Sequence, residues 1–245
     1  MSKFKVIDAG ICAPEGIISA GYAAGLKKSG KKDLALIYSN ELCSAAAVFT
    51  KNSFKAAPVL VSQKQIKKGK AQAVIINSGN ANACTGIPGL KDAEKMVLVM
   101  SEALGINKDH VLVASTGIIG VPMPMKKIEQ GIWAISRMIH KTNSCDAAEA
   151  ILTTDLRKKE IAIEIPVSRG KKIKIGGMAK GSGMICPHMA TMIAVITTDA
   201  LIDPKLLQKT LSESVNDSFN MITVDNDMST NDTVFALIFF NNIFK

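Results

Sequence analysis

The chain has 245 residues, 47% of them hydrophobic and 21% charged, which is enough to bury a sizeable core as one large domain or two tightly packed lobes. Its 30 Lys and Arg outnumber 21 Asp and Glu, for a net charge of +9, but the basic residues fall in scattered pairs: Lys27-Lys28, Lys31-Lys32, Lys67-Lys68, Lys126-Lys127, Lys158-Lys159 and Lys171-Lys172. With two Tyr and one Trp there is no platform on which single-stranded bases could stack, so the pairs read as solvated surface and nucleic acid is excluded as a partner.

In chain order, Asp33–Tyr38 and Cys43–Thr50 read as short strands flanking a Ser39-Asn40 turn. Ala71–Asn77 is an apolar strand running into the turn cluster Ser78-Gly79-Asn80. Pro88–Leu104 has helical spacing, with Pro88 suited to a helix start and Gly105 to its stop. His110–Ala114 is a buried strand that ends at Ser115-Thr116-Gly117. Two helices follow, Met125–Ile139 and Ser144–Thr153, and then a hairpin of Glu160–Val167 and Lys171–Ile175. Glycines 176, 177, 181 and 183 read as a permissive loop after that hairpin. Met192–Thr197 is a strand. Asp203 can cap a helix with Pro204 at its first position, running to about Phe219. Thr233–Phe240 is an apolar strand so near the end that little sequence is left to cover it, which predicts a fragment. Alternating strands and helices predict an α/β or layered α+β fold.

Five cysteines, an odd count with no C-x-x-C, argue against a disulfide framework and a zinc site. The first residues lack the apolar core of a signal peptide, and no run reaches the roughly 18 apolar residues of a membrane span. A cytoplasmic protein with no membrane partner is the expectation.

The most informative stretch is Met178–Ala200. Thr191 ends a glycine-rich approach and opens a buried strand. Its hydroxyl can attack the preceding carbonyl, and hydrolysis of the resulting ester leaves Thr191 with a free α-amine. With a reference pKa of about 7.7–8.0, that amine is a base matched to neutral pH, so one residue can supply both nucleophile and base. On pattern alone an Ala-Thr pair before an apolar strand is commonplace. A phosphate-binding loop is excluded, because Gly177–Gly183 is not followed by Lys-Ser/Thr and a helix.

Lys180-Gly-Ser-Gly-Met-Ile-x-Pro-x-Met-Ala-Thr191-Met closely resembles the cleavage segment of the ornithine acetyltransferase (glutamate N-acetyltransferase) family of arginine biosynthesis. Asn77–Asn82 with Cys84-Thr85-Gly86 resembles that family's early glycine-rich turn, Ser115–Gly120 its oxyanion-hole segment, Ile151–Asp155 a substrate-contact segment, and Ser218–Thr233 the region after the nucleophile. The likeness runs through the whole chain in order. It implies an α/β fold with paired sheets between helical layers, related to the self-processing aminopeptidases, with the C-terminal lobe truncated. It implies a cut at Ala190–Thr191 into an α segment, 1–190, and the start of a β segment, 191–245. Thr191 would then carry acetyl from N2-acetylornithine to glutamate, with Thr116 and Gly117 as oxyanion hole and Thr154 and Lys180 contacting substrate. No cofactor or metal is implied, although acetyl-CoA is a possible second acetyl donor, and the cut halves would assemble as a heterotetramer of two α and two β chains.

Other candidates read as structural. His188 lies two residues before the cut and is a bystander; His110 begins a strand and His140 ends a helix. Cys84 and Cys186 have no paired histidine to make them nucleophiles. Asp225 and Asp227 lack calcium-loop spacing and read as a turn or subunit contact. Without the likeness, Lys180 would be a solvated loop lysine. Two alternatives stand beside the acetyltransferase: a self-processing aminopeptidase that passes its acyl group to water, and an inactive truncated remnant.

Overall fold

A computed structural model of the chain describes residues 4–139, 144–167, 170–184 and 192–239. His140, Cys186, His188, Ala190 and Thr191 lie outside the described residues. In chain order the strands are β1 (Lys5–Ile7), β2 (Ile17–Tyr22), β3 (Leu34–Phe49), β4 (Lys70–Asn80), β5 (Val111–Ile118), β6 (Lys159–Pro166), β7 (Lys172–Lys180), β8 (Ile193–Thr198) and β9 (Thr233–Ile238). The helices are α1 (Ala57–Gln65), α2 (Gly86–Leu104), α3 (Met125–Ser136), α4 (Ser144–Ala150) and α5 (Pro204–Asn216).

The strands hydrogen-bond in the order β1-β6-β7-β8-β9-β3-β4-β5, with β2 also on β3. β4–β5 and β8–β9 are parallel, and the remaining pairs are antiparallel. β3 joins the two halves. Its first part lies between β2 and β4, its second between β4 and β9, and the register on β4 shifts between Tyr38 and Cys43. The period of two sorts its side chains. Ala35, Ile37, Cys43, Ala45 and Ala47 face an inner core shared with Val74, Ile76, Val195 and Phe235 from both halves. Leu34 and Leu36 face the opposite way, into a core under α1, α2 and α3. Ala46 meets Leu207, Leu211 and Val215 of α5. Both halves of this one nine-stranded sheet therefore give the same face to the inner core, which α4 enters through Ala147, Ala148 and Ala150, while α1, α2, α3 and α5 pack on the opposite face. Phe49 and Phe235 close the inner core edge-to-face at 6.1 Å.

The helix signals at two places did what the sequence asked. Asp203 accepts the Lys205 and Leu206 N–H groups at 2.9 and 3.2 Å, with Pro204 at the first position. Gly105 ends α2 in the left-handed conformation at φ 66°. α5 stops at Asn216, short of Phe219.

Other expectations are corrected. The Ser39-Asn40 turn does not form: the chain runs on as a bulged strand, with Ser39 laddered to Ile17 of β2 and the Asn40 N–H donating to the Gly16 carbonyl at 3.3 Å, before pairing with β4 resumes at Cys43. Gly176 and Gly177 are strand, not loop. A Cβ on Gly176 would lie 2.4 Å from the Gly10 carbonyl oxygen, so that glycine lets another segment approach closely. β1, β2 and α1 were not anticipated. In β2, Gly21 sits where a Cβ would come within 2.0 Å of the Asp146 carbonyl oxygen in α4, so small residues there serve packing and mask the strand pattern.

Candidate active site

The parallel strands β4 and β5 end side by side, and their ends carry the two polar turns singled out in the sequence. Asn77 Oδ1 accepts the Ser115 hydroxyl at 2.6 Å, and Asn77 Nδ2 donates to the Asn80 carbonyl at 2.9 Å. Asn80 Nδ2 donates to the carbonyls of Val121 and Pro122, both at 3.1 Å. Asn82, held at φ 47°, donates to Gly89 at 2.8 Å. The asparagine-rich turn is thus a scaffold whose side-chain amides satisfy the Asn80 carbonyl at the bulge and the carbonyls of Gly89, Val121 and Pro122 around it.

That scaffold presents Thr116 and Gly117. Thr116 is buried and Gly117 is exposed, with φ 133°. A Cβ at Gly117 would stand 2.4 Å from the Gly79 carbonyl carbon and 2.5 Å from the Asn80 nitrogen, so both the conformation and the space require glycine. Its backbone can therefore come close to a bound carbonyl.

β7 carries Lys180 to the same place. It is 2% exposed, and its Nζ donates to Thr116 Oγ1 at 3.3 Å. Burial pulls its pKa below the usual lysine value, against the opposing pull of Asp155 and Asp232. The loop after α4 brings Thr154, whose hydroxyl pairs with that of Ser182 at 2.6 Å. Thr116, Gly117, Thr154 and Lys180 all line one cleft of about 830 Å³. Asp225, read in sequence as a turn residue or subunit contact, has φ 68°, lines the same cleft and accepts the Met184 N–H at 3.0 Å.

Three residues with no role assigned from sequence complete the site. Asn231 is 5% exposed and its Nδ2 donates to the carbonyls of Ala81 at 2.6 Å and Ser115 at 2.8 Å, tying the approach to β9 to both turns. Asp232 is fully buried. Its Oδ1 accepts the Met192 N–H at 2.9 Å, while Oδ2 has no partner within hydrogen-bond distance among the described residues. Burial drives the Asp232 carboxyl up to about 8, although the Met192 N–H, Ser229 and Lys180 pull it down. Asp155 accepts the Gly181 N–H at 2.8 Å and pairs with Lys159; burial pushes its carboxyl up, but these partners and Lys180 outweigh it and hold it below the usual value. The sequence signals for Asn231 and Asp232 were a polar Ser-Thr-Asn-Asp run directly ahead of an apolar strand and their place in the Ser218–Thr233 segment, to which no residue role was attached.

The arrangement places a hydroxyl, a glycine backbone and a buried amine around one cleft. Lys180 pairs with Ile193 across β7 and β8, and Met192, held by Asp232, is the residue covalently joined to Thr191. Such donors suit the stabilisation of charge developing on a carbonyl oxygen.

The model of the ArgJ family matches residues 18–239. The chain belongs to the ArgJ family. The arginine biosynthesis bifunctional protein ArgJ of Caldanaerobacter subterraneus subsp. tengcongensis is 49% identical over 233 residues, which is 95% of this chain and 57% of that protein. The chain therefore spans little more than half the length of the curated ArgJ relatives it matches. Two solved ArgJ-family structures share its fold. The arginine biosynthesis bifunctional protein argJ of Bacillus halodurans superimposes with TM-score 0.69 at 38% identity, covering 78% of this chain and 98% of that one. Ornithine acetyltransferase of Mycobacterium tuberculosis, solved in complex with ornithine, gives TM-score 0.67 at 35% identity, covering 78% and 100%. No described helix is long and apolar enough to cross a membrane.

Proposed function

We propose that the chain cuts itself between Ala190 and Thr191 and that the freed Thr191 transfers acetyl from N2-acetylornithine to glutamate. The observation that carries this reading is convergence. Thr116, Gly117, Thr154 and Lys180 come from three separate parts of the sequence and line one cleft, and Lys180 is laddered to the strand that begins just after Thr191.

In the first step the Thr191 hydroxyl attacks the Ala190 carbonyl and the peptide nitrogen leaves as an amine. Water then hydrolyses the ester, giving segments 1–190 and 191–245. In the second, the amine takes the hydroxyl proton as the oxygen attacks the acetyl carbonyl. Ornithine leaves carrying that proton, and the amine of glutamate attacks the acetyl-Thr191 ester in turn. Thr116 and Gly117 stabilise the oxyanion, worth roughly 2.7–4 kcal/mol per donor. Lys180 and Thr154 hold the substrate, and the buried Lys180 ammonium suits an amino-acid carboxylate. The acyl group stays at the level of an ester or amide throughout, so neither metal nor cofactor enters, and acetyl-CoA can serve as a second donor. The cut segments would assemble as two α and two β chains in the cytoplasm.

Lengths support the cut. Some 78% of 245 residues, about 191, matches essentially all of each solved relative, whereas nearly the whole chain matches only 57% of the curated one. The solved chains are thus about half the curated length, as a cut near residue 190 would leave them.

Mass spectrometry of the purified chain should find two polypeptides meeting at 190/191, and one in Thr191→Ala. The cut chain should move labelled acetyl from N2-acetylornithine to glutamate. Release of free acetate alone would favour the hydrolase alternative, and unchanged transfer by Thr191→Ala would refute the mechanism.

A further inference from the structure

The acyl shift that opens the proposed cut leaves one proton without a donor. An amide nitrogen is a poor leaving group unless it is protonated as its bond to carbon breaks, so an acid must stand beside the Thr191 nitrogen at that moment.

The backbone places Asp232 there. β8 and β9 run parallel, with Ile193 level with Thr233. Just ahead of that pair the Thr233 N–H donates to the Met192 carbonyl at 3.0 Å, and the Met192 N–H donates to Asp232 Oδ1 at 2.9 Å, so main chain and side chain together clamp Met192. The Asp232 carbonyl in turn accepts the N–H of Thr50, just past β3, at 2.9 Å. Thr191 is bonded to Met192, and covalent geometry keeps consecutive backbone nitrogens within about 4 Å of each other. A carboxyl seated on the Met192 N–H is therefore one residue from the nitrogen that must be protonated.

The state of the carboxyl suits a donor. Asp232 is 0% exposed, and its Oδ2 has no partner among the described residues. Oδ1 is occupied in accepting the Met192 N–H, so the proton of the neutral acid belongs on Oδ2. The charged side chain that faces the carboxyl, Lys180 on β7, favours its ionised form, as do the Met192 N–H and Ser229, but burial outweighs all three and pushes it up to about 8. A planar amide nitrogen accepts no hydrogen bond; it gains a lone pair only as attack on the carbonyl makes that carbon tetrahedral. The Oδ2 proton thus finds its acceptor in the transition state and not before it.

We infer that Asp232 is the acid that protonates the Thr191 nitrogen as the chain cuts itself. This rests on the self-cutting reading above and deepens it. The Thr191 oxygen bonds to the Ala190 carbonyl carbon, the bond from that carbon to the Thr191 nitrogen breaks, and the Oδ2 proton moves to the nitrogen. The carboxylate left behind takes up the proton shed by the hydroxyl, so Asp232 ends as it began.

Uncut chains recovered in urea and refolded by dilution can be followed by mass spectrometry from about pH 5 to about pH 9, with circular dichroism to show that each has folded. Asp232→Asn keeps the shape and the oxygen for the Met192 N–H, but an amide cannot give up a proton; Asp232→Ala loses both. The native chain should cut more slowly above about pH 8, as the acid ionises. Asp232→Asn should cut at least about a hundredfold more slowly at neutral pH, with no such fall, and Asp232→Ala should be no faster. Native-rate cutting by Asp232→Asn, with only Asp232→Ala impaired, would make the residue a structural anchor and overturn the inference. So would a native rate that keeps rising through pH 9, a result that does not depend on either variant folding. A native chain that stays whole at every pH would refute the self-cutting reading and this inference with it, whereas a chain that cuts unimpaired without the acid would refute this inference alone.

Discussion

Replacing Asp232 by Asn should remove a pH dependence of stability that the fold builds into its own site. The carboxyl is fully buried, its Oδ2 has no partner among the described residues, and burial drives it up to about 8 when folded against an unperturbed 3.8. Between those values the folded chain holds a proton that the unfolded chain has released. A raised carboxyl therefore favours the folded state at low pH, and that advantage is lost as pH rises through the window. Each pH unit costs about 1.4 kcal/mol. From about pH 5 to about pH 7.5 the native chain should lose about 3 kcal/mol relative to Asp232→Asn, and over the whole window no more than about 6 kcal/mol. The amide keeps an Oδ1 to accept the Met192 N–H, so the anchor of β8 is conserved. Urea unfolding across this range, with both chains in a Thr191→Ala background so that neither can be cut, reads the difference directly. Parallel stability curves would refute the argument, as would a native chain that gains on the variant with rising pH.

Two further substitutions probe the same cleft. Gly117→Ala drives a Cβ into the Gly79–Asn80 backbone at a positive φ, and should cost at least about 3 kcal/mol in urea unfolding and lower acetyl transfer by at least about a hundredfold; near-native stability would show that the segment yields. Lys180→Met removes a buried ammonium, and should leave unfolding stability at neutral pH unchanged or up to about 2 kcal/mol higher while transfer falls by at least about a hundredfold; a parallel loss of stability would mean that the lysine is mainly structural.

Much of the fold was legible because its signals are local. The cap and proline at Asp203-Pro204, the glycine stop at 105 and the apolar runs of β4 and β9 act within a few residues. The errors share one cause, tertiary contact overriding a local cue. A polar Ser-Asn pair became strand because β2 and the residue before it hold its backbone, and β2 hid because α4 demands small residues against it. Lys180 shows the limit most clearly. Its neighbours in sequence suggest a solvated loop, yet ladder pairing carries it into the interior.

By itself the sequence determined the alternation of elements and the residue types of the proposed acyl-transfer site, since a threonine behind a glycine-rich approach and a Thr-Gly turn after a strand are read along the chain. Only the tertiary structure decided which of them meet. It placed Thr116, Gly117, Thr154 and Lys180 on one cleft and recruited Asn231 and Asp232 to fasten it. The physical reason is that burial and electrostatic fields depend on distance through space. A carboxylate or lysine carries no mark in the sequence of the desolvation and neighbours it will meet once β3 folds the two halves of the sheet together.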